Sequence, residues 1–180
     1  GKINVLVART GYTGEDGVEI VAHKDDLVAL WRMLLSFPEV TPVGLGARDT
    51  LRLEMGYSLY GSDMDLTRDP ISAGLGWACP KSKEGYIGCE ALTAIRGVGP
   101  KVRLVHLLVE NGIPRHGYPV LHDGNEIGTI GSGSHSPSLG KGMATAYVPA
   151  ELAEPGTELE IQIRKRTVPA TVVKPPFLVK

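Results

Sequence analysis

Only two cysteines, Cys79 and Cys89, occur in 180 residues. They are too few and too widely spaced for a zinc knuckle or a Cys-x-x-Cys redox pair, and a reducing compartment with free thiols is the economical reading. The five histidines are scattered and none forms His-Glu-x-x-His, so no metal-ligand spacing is present. Charge of one sign is also lacking. Nineteen basic residues face 20 acidic ones for a net charge of −1, which removes the electrostatic footprint of a nucleic-acid binder. No apolar run approaches the length of a membrane-spanning helix, so no spanning helix is expected, and the absence of a signal-peptide pattern says little about the natural N-terminus. The chain begins Gly1-Lys2, without Met and almost directly in an apolar run, and reads as a trimmed start. Leu139-Gly-Lys-Gly142 lacks the Ser or Thr of a phosphate loop, and Gly131-Ser-Gly-Ser-His135 lacks the Gly-x-Ser-x-Gly spacing of a nucleophile elbow.

What remains is ordinary globular material: 42% hydrophobic and 22% charged residues, enough for one large domain or two small ones. Ile3 to Val7 and Val18 to Val21 read as buried strands. Asp25 to Phe37 carries Leu27, Leu30, Trp31, Leu34 and Leu35 on one helical stripe, with Asp25 as N-cap and Pro38 as stop. A second helix is expected over Leu45 to Met55, ending at Gly56, with Arg48 and Arg52 on one face. Gly61 to Asp69 reads as a polar loop, Ile71 to Ala78 as a strand and Cys89 to Arg96 as a third helix.

Gly97-Val-Gly-Pro100 is the expected boundary between a first region, 1–97, and a second, 98–180. Past it, helical periodicity stops. Val102 to Val109, Tyr118 to Leu121, Glu126 to Ser132, Gly142 to Val148, Glu158 to Ile163 and Thr167 to Val173 are short strands, and Asp123-Gly124-Asn125 is a hairpin signal. Such a set predicts a small closed barrel, which leaves no sheet edge exposed.

Between the first two strands lies Arg9-Thr-Gly-Tyr-Thr-Gly-Glu-Asp-Gly-Val-Glu19, with three glycines at a spacing of three, one aromatic ring and three carboxylates. Glycines at a connection let backbone approach a ligand closely. Three more stretches follow in order: Gly44-Leu-Gly-Ala-Arg-Asp49 running on to Gly61, Ile71-Ser-Ala-Gly-Leu-Gly-Trp77, and Gly131 to Pro149. Together the four resemble the aminomethyltransferase (T-protein) family of the glycine cleavage system, over nearly the whole chain. The resemblance implies an α+β fold, a partial ferredoxin-like α+β layer followed by a small C-terminal antiparallel β-barrel. It also implies that the chain corresponds to the C-terminal portion of such an enzyme. The first region would then be incomplete, with an uncovered apolar face that favours self-association.

In that family a one-carbon unit passes from the aminomethyl-lipoyl arm of a carrier (H-protein) to tetrahydrofolate, with release of ammonia. The implied partners are therefore lipoylated H-protein and tetrahydrofolate as co-substrate. By motif position Glu19 would accept the paired N–H groups of the pterin, a bidentate charge-assisted contact. Tyr12 would line the same pocket, Arg48 would hold Glu19 ionised and donate to a pterin oxygen, and Tyr57 is the next match. No catalytic residue is expected here. The family's essential aspartate lies upstream, and Asp16, Asp49, Asp63 and Asp65 are not substitutes, so the chain by itself is expected to be inactive. Some relatives place an arginine after the final Pro-Phe to meet the folate tail, whereas Lys180 stands here without the guanidinium fork. Two alternatives stay open: the folate domain of a dimethylglycine or sarcosine oxidase, and a non-catalytic folate-binding paralogue. The expected setting is a bacterial cytoplasm, or the mitochondrial matrix if the source is eukaryotic.

Overall fold

The computed structural model describes residues 2–179, and they form two compact units that divide between Arg52 and Leu53. In the first unit, β1 (Val5–Ala8) and β2 (Glu19–Ala22) pair antiparallel, with Val5 opposite Ala22 and Ala8 opposite Glu19. A single 3-10 turn, Lys24–Asp26, leads into α1 (Leu27–Leu34). The expected cap at Asp25 is displaced. His23 Nδ1 accepts from the Asp25 N–H at the 3-10 turn, and Asp26, the residue preceding α1, makes no side-chain cap. Helix α2 (Leu45–Glu54) follows and stops at Gly56, which takes φ +71°, the left-handed conformation glycine adopts without strain.

The two strands were expected to be buried and are not. Leu6 is 68% exposed, Trp31 54% and Leu45 81%, and Leu30 is the one buried apolar side chain among the described residues of this unit. A two-stranded sheet has no second layer to lie against, so its apolar residues face outward whatever their pattern. The apolar exposure expected of the first region is thus present.

In the second unit, α3 (Cys89–Val98) ends at Gly99, which takes φ +88°. Six strands follow: β3 (Val102–Val109), β4 (Pro119–His122), β5 (Asn125–Ser136), β6 (Lys141–Pro149), β7 (Glu158–Ile163) and β8 (Arg166–Val173). They close into a barrel in the order β3-β6-β5-β4-β7-β8, every described pairing antiparallel. Alternate residues point inward. Val105, Leu107 and Val109 of β3 meet Leu159, Ile161 and Ile163 of β7 and Val168, Ala170 and Val172 of β8 in one core. Between β4 and β5 the two-residue turn is Asp123-Gly124, both at positive φ, as the sequence signal requires.

The stretch Ile71 to Ala78, expected as a strand, is instead a run of turns ending in a 3-10 helix, Gly76–Ala78. Its cause is Asp69, whose carboxylate accepts from the N–H groups of Ile71 (2.8 Å) and Ser72 (2.9 Å) and from the Ser72 hydroxyl (2.6 Å). A carboxylate offering those bonds competes directly with an extended ladder.

Candidate functional site

Residues predicted for the site lie mainly on the β1–β2 connection and the first turns of α2. Arg48 places its guanidinium carbon 4.6 Å from the centre of the Tyr12 ring, a cation–π distance. Glu19 opens β2 opposite Ala8, and Thr10 lies two residues past the end of β1, beyond a bend at Arg9. The Thr10 hydroxyl donates to Glu19 Oε2. Arg9 and Asp16 close the tip of the connection by an ion pair. Tyr12 and Arg48 are thus brought together, and Glu19 is fixed from the same connection.

The direct Arg48–Glu19 pair expected from the sequence is not formed. Among the described residues Glu19 is held by Thr10, while Arg48 lies over Tyr12. Arg52 turns to Asp49, donating through Nε (2.8 Å) and Nη2 (2.7 Å) to one carboxylate oxygen. Tyr57 follows the turn at Gly56, is partly exposed and belongs to the second unit. Lys180 lies outside the described residues.

The four aspartates set aside in the sequence are all engaged. Asp16 pairs with Arg9 and Asp49 with Arg52. Asp65 accepts from the hydroxyl and the N–H of Thr67, and those bonds hold its carboxyl below the usual range. Asp63 is different in kind, because it is fully buried. Its carboxylate accepts from the Leu59 N–H (2.8 Å), from the Ser132 hydroxyl (2.7 Å) and from the Thr145 hydroxyl, while the Tyr147 hydroxyl donates to its carbonyl (2.8 Å). These bonds fasten the segment around residue 63 to the outer face of β5 and β6. A Cβ on Gly131 would lie 2.8 Å from the Asp63 carboxylate and from the Ser62 carbonyl, so only glycine allows this approach.

Nearby charges follow from that packing. Burial opposes ionisation of Asp69, but the hydroxyl and N–H donors of Ser72 and the N–H of Ile71 outweigh it and keep its pKa low. Tyr147 is pushed up to about 12, chiefly by burial and against the pull of Arg68, whose guanidinium lies 4.2 Å from its ring centre. A second fastening involves Glu54, also buried. It accepts from the Ser136 hydroxyl at 2.5 Å, and its carbonyl accepts from the Phe177 N–H at 2.8 Å. Sequence reading missed Asp63 and Glu54, since their partners on β5 and β6 lie 69 to 84 residues away.

Comparison with known proteins places this architecture. Residues 1–83 match the family model described as the GCVT N-terminal domain, and residues 103–178 match the glycine cleavage T-protein C-terminal barrel domain. The chain is 51% identical over 175 residues to an aminomethyltransferase of Synechococcus sp. (strain CC9311), covering 96% of this chain and 47% of that protein. To the aminomethyltransferase of Halothermothrix orenii it is 44% identical over 178 residues, covering 97% and 50%. The crystal structure of glycine cleavage system aminomethyltransferase T from Bartonella henselae superposes with a TM-score of 0.91 at 36% identity, over 96% of this chain and 49% of that one. The chain spans about half the length of the curated relatives it matches. With both family domains matched in order and the barrel closed as described, this chain belongs to the glycine cleavage T-protein family.

Proposed function

We propose that this chain supplies the folate-side portion of an aminomethyltransferase acting in glycine cleavage. The reaction moves a one-carbon unit from an aminomethyl group on a dihydrolipoyl carrier to tetrahydrofolate. The carbon–nitrogen bond of the aminomethyl group breaks, releasing ammonia, and the carbon–sulfur bond breaks to return the carrier thiol. The carbon ends bonded to folate nitrogens N5 and N10, with no change in oxidation state and no metal required.

One observation carries the reading. Tyr12 and Arg48 are brought into contact, and a Glu19 carboxylate is fixed from the same connection, in a chain that is 51% identical to an aminomethyltransferase. Glu19 is exposed, and Thr10 engages only one of its oxygens, so lone pairs remain for the amino group and ring N–H of a pterin. Arg48 presents a planar cation suited to a pterin oxygen or to stacking. Tyr57 matches the next position of the family motif and is a further candidate for folate contact. Lipoylated H-protein is the carrier in this reading.

The test is a transfer assay on the protein at the family's full length. Ammonia release should require both lipoylated carrier and tetrahydrofolate. Replacing Glu19→Gln should weaken tetrahydrofolate binding by about 2 kcal/mol, the cost of losing charge-assisted bonds. Transfer that proceeds equally well without tetrahydrofolate would overturn the assignment.

A further inference from the structure

A second cleft, of about 670 Å³, opens on the barrel where the loop before β4 meets the β7–β8 hairpin. Its floor is apolar, made by Ile113, Tyr118 and Ile163, with Ile113 44% exposed. Its rim is cationic: Arg115, Arg164, Lys165 and Arg166, and no acidic residue lines it. Elsewhere Arg9, Arg52 and Lys141 each hold a carboxylate within 4.0 Å. Among the described residues none of the four rim cations does. Arg166 is steadied by a bond from Nη2 to the Asn111 carbonyl at 3.3 Å.

The hairpin itself adds a second, independent observation. Ile163 pairs with Arg166, so Arg164-Lys165 is its two-residue turn, and Arg164 takes φ +58°. Positions of this kind favour Gly, Asn or Asp, and the β4–β5 hairpin of the same barrel uses Asp123-Gly124. An arginine kept in the left-handed region, where a cheaper residue would serve the turn, points to a use for its side chain.

We propose that this cleft binds a small ring compound bearing clustered anionic groups, of the nucleoside polyphosphate class. The apolar floor accepts one face of a ring, the arginines supply planar forks for phosphate oxygens, and the lysine adds a point charge. The cleft has the size of a small-molecule site. Inorganic phosphate alone would leave the floor uncovered. The inference concerns the barrel and does not depend on the proposed transferase activity.

Calorimetric titration of the full chain with ATP, without divalent metal and at about 0.1 M ionic strength, provides the test. Saturable binding is expected, at least about tenfold tighter than that of tripolyphosphate, which has the charge without the ring, or of adenosine, which has the ring without the charge. Arg115→Gln and Arg164→Asn should each weaken ATP binding by about tenfold. Arg164→Asn should melt at or above the unmodified temperature, because Asn tolerates the turn conformation, which separates lost binding from lost folding. The proposal is overturned by absence of saturable ATP binding, by tripolyphosphate binding as tightly as ATP, or by an unaltered affinity in Arg164→Asn. A polyglutamate peptide binding more tightly than ATP would also overturn it, by assigning the cleft to an acidic polypeptide.

Discussion

Residues 1–52 and the barrel draw on the same apolar residue types and place them in opposite ways. In the first unit Val5, Leu6, Val7, Val21, Trp31 and Leu45 face outward, and Leu30 alone among its described apolar side chains is buried. In the barrel, fourteen residues from β3 to β8 form one closed core. Propensity does not explain the difference, since both regions contain short β-branched runs. Closure does. A six-stranded ring gives every inward side chain a neighbour on the far wall, whereas a two-stranded ribbon and two helices do not. The barrel is therefore the region whose stability should respond to single substitutions.

The sharpest way to press the contrast is Asp63→Ala. It strands the Leu59 N–H and the hydroxyls of Ser132 and Thr145 in a buried setting, and urea unfolding should lose about 3 kcal/mol. A loss near zero would mean that the segment around residue 63 is not fastened to β5 and β6 at all. Next in size is Gly131→Ala. Its new methyl meets the Asp63 carboxylate and the Ser62 carbonyl at 2.8 Å, and thermal melting should show a cost of about 2 kcal/mol.

A pH effect should follow from His106. Burial lowers its pKa below the ordinary 6.5, against a contact to the Gly56 carbonyl and the charge of Asp63. The folded state therefore disfavours the protonated ring. Its contribution is complete above pH 6.5 and is lost as the pH falls through the region below that value. His106→Gln should flatten the acid-side slope of a stability–pH curve, and an unchanged slope would remove His106 as its source. Smallest of all should be Val21→Thr on exposed β2, within about 0.5 kcal/mol. The same change should reduce binding of a hydrophobic dye, and a large loss of stability there would break the comparison from the other side.

Much of this contrast was legible in the residues. The bounds of β3 and β7 were readable to the residue; in β7 buried and exposed positions alternate strictly, whereas in β3 most of the alternate positions are half-buried. The β1 and β2 strands were readable too, but not their exposure, because burial depends on a second layer and no local pattern reports its presence. The turns after Asp69 were misread as a strand, although Ile71, Ala73 and Leu75 do alternate with smaller residues. One carboxylate bonding forward to Ile71 and Ser72 overrides that alternation. Within the site, the proximity of Tyr12 and Arg48 was within reach of motif reading, yet the side-chain pairing was not. Thr10, past the end of β1, takes the carboxylate that Arg48 was expected to hold.

Hydrogen exchange on the full-length protein, with and without tetrahydrofolate, tests the central claim most directly. Added tetrahydrofolate should slow exchange in the β1–β2 connection, residues 9–19, and in the first turns of α2 around Arg48, while β3 to β8 stay as protected as before. Protection confined to the barrel strands, with residues 9–19 unaffected, would contradict the account.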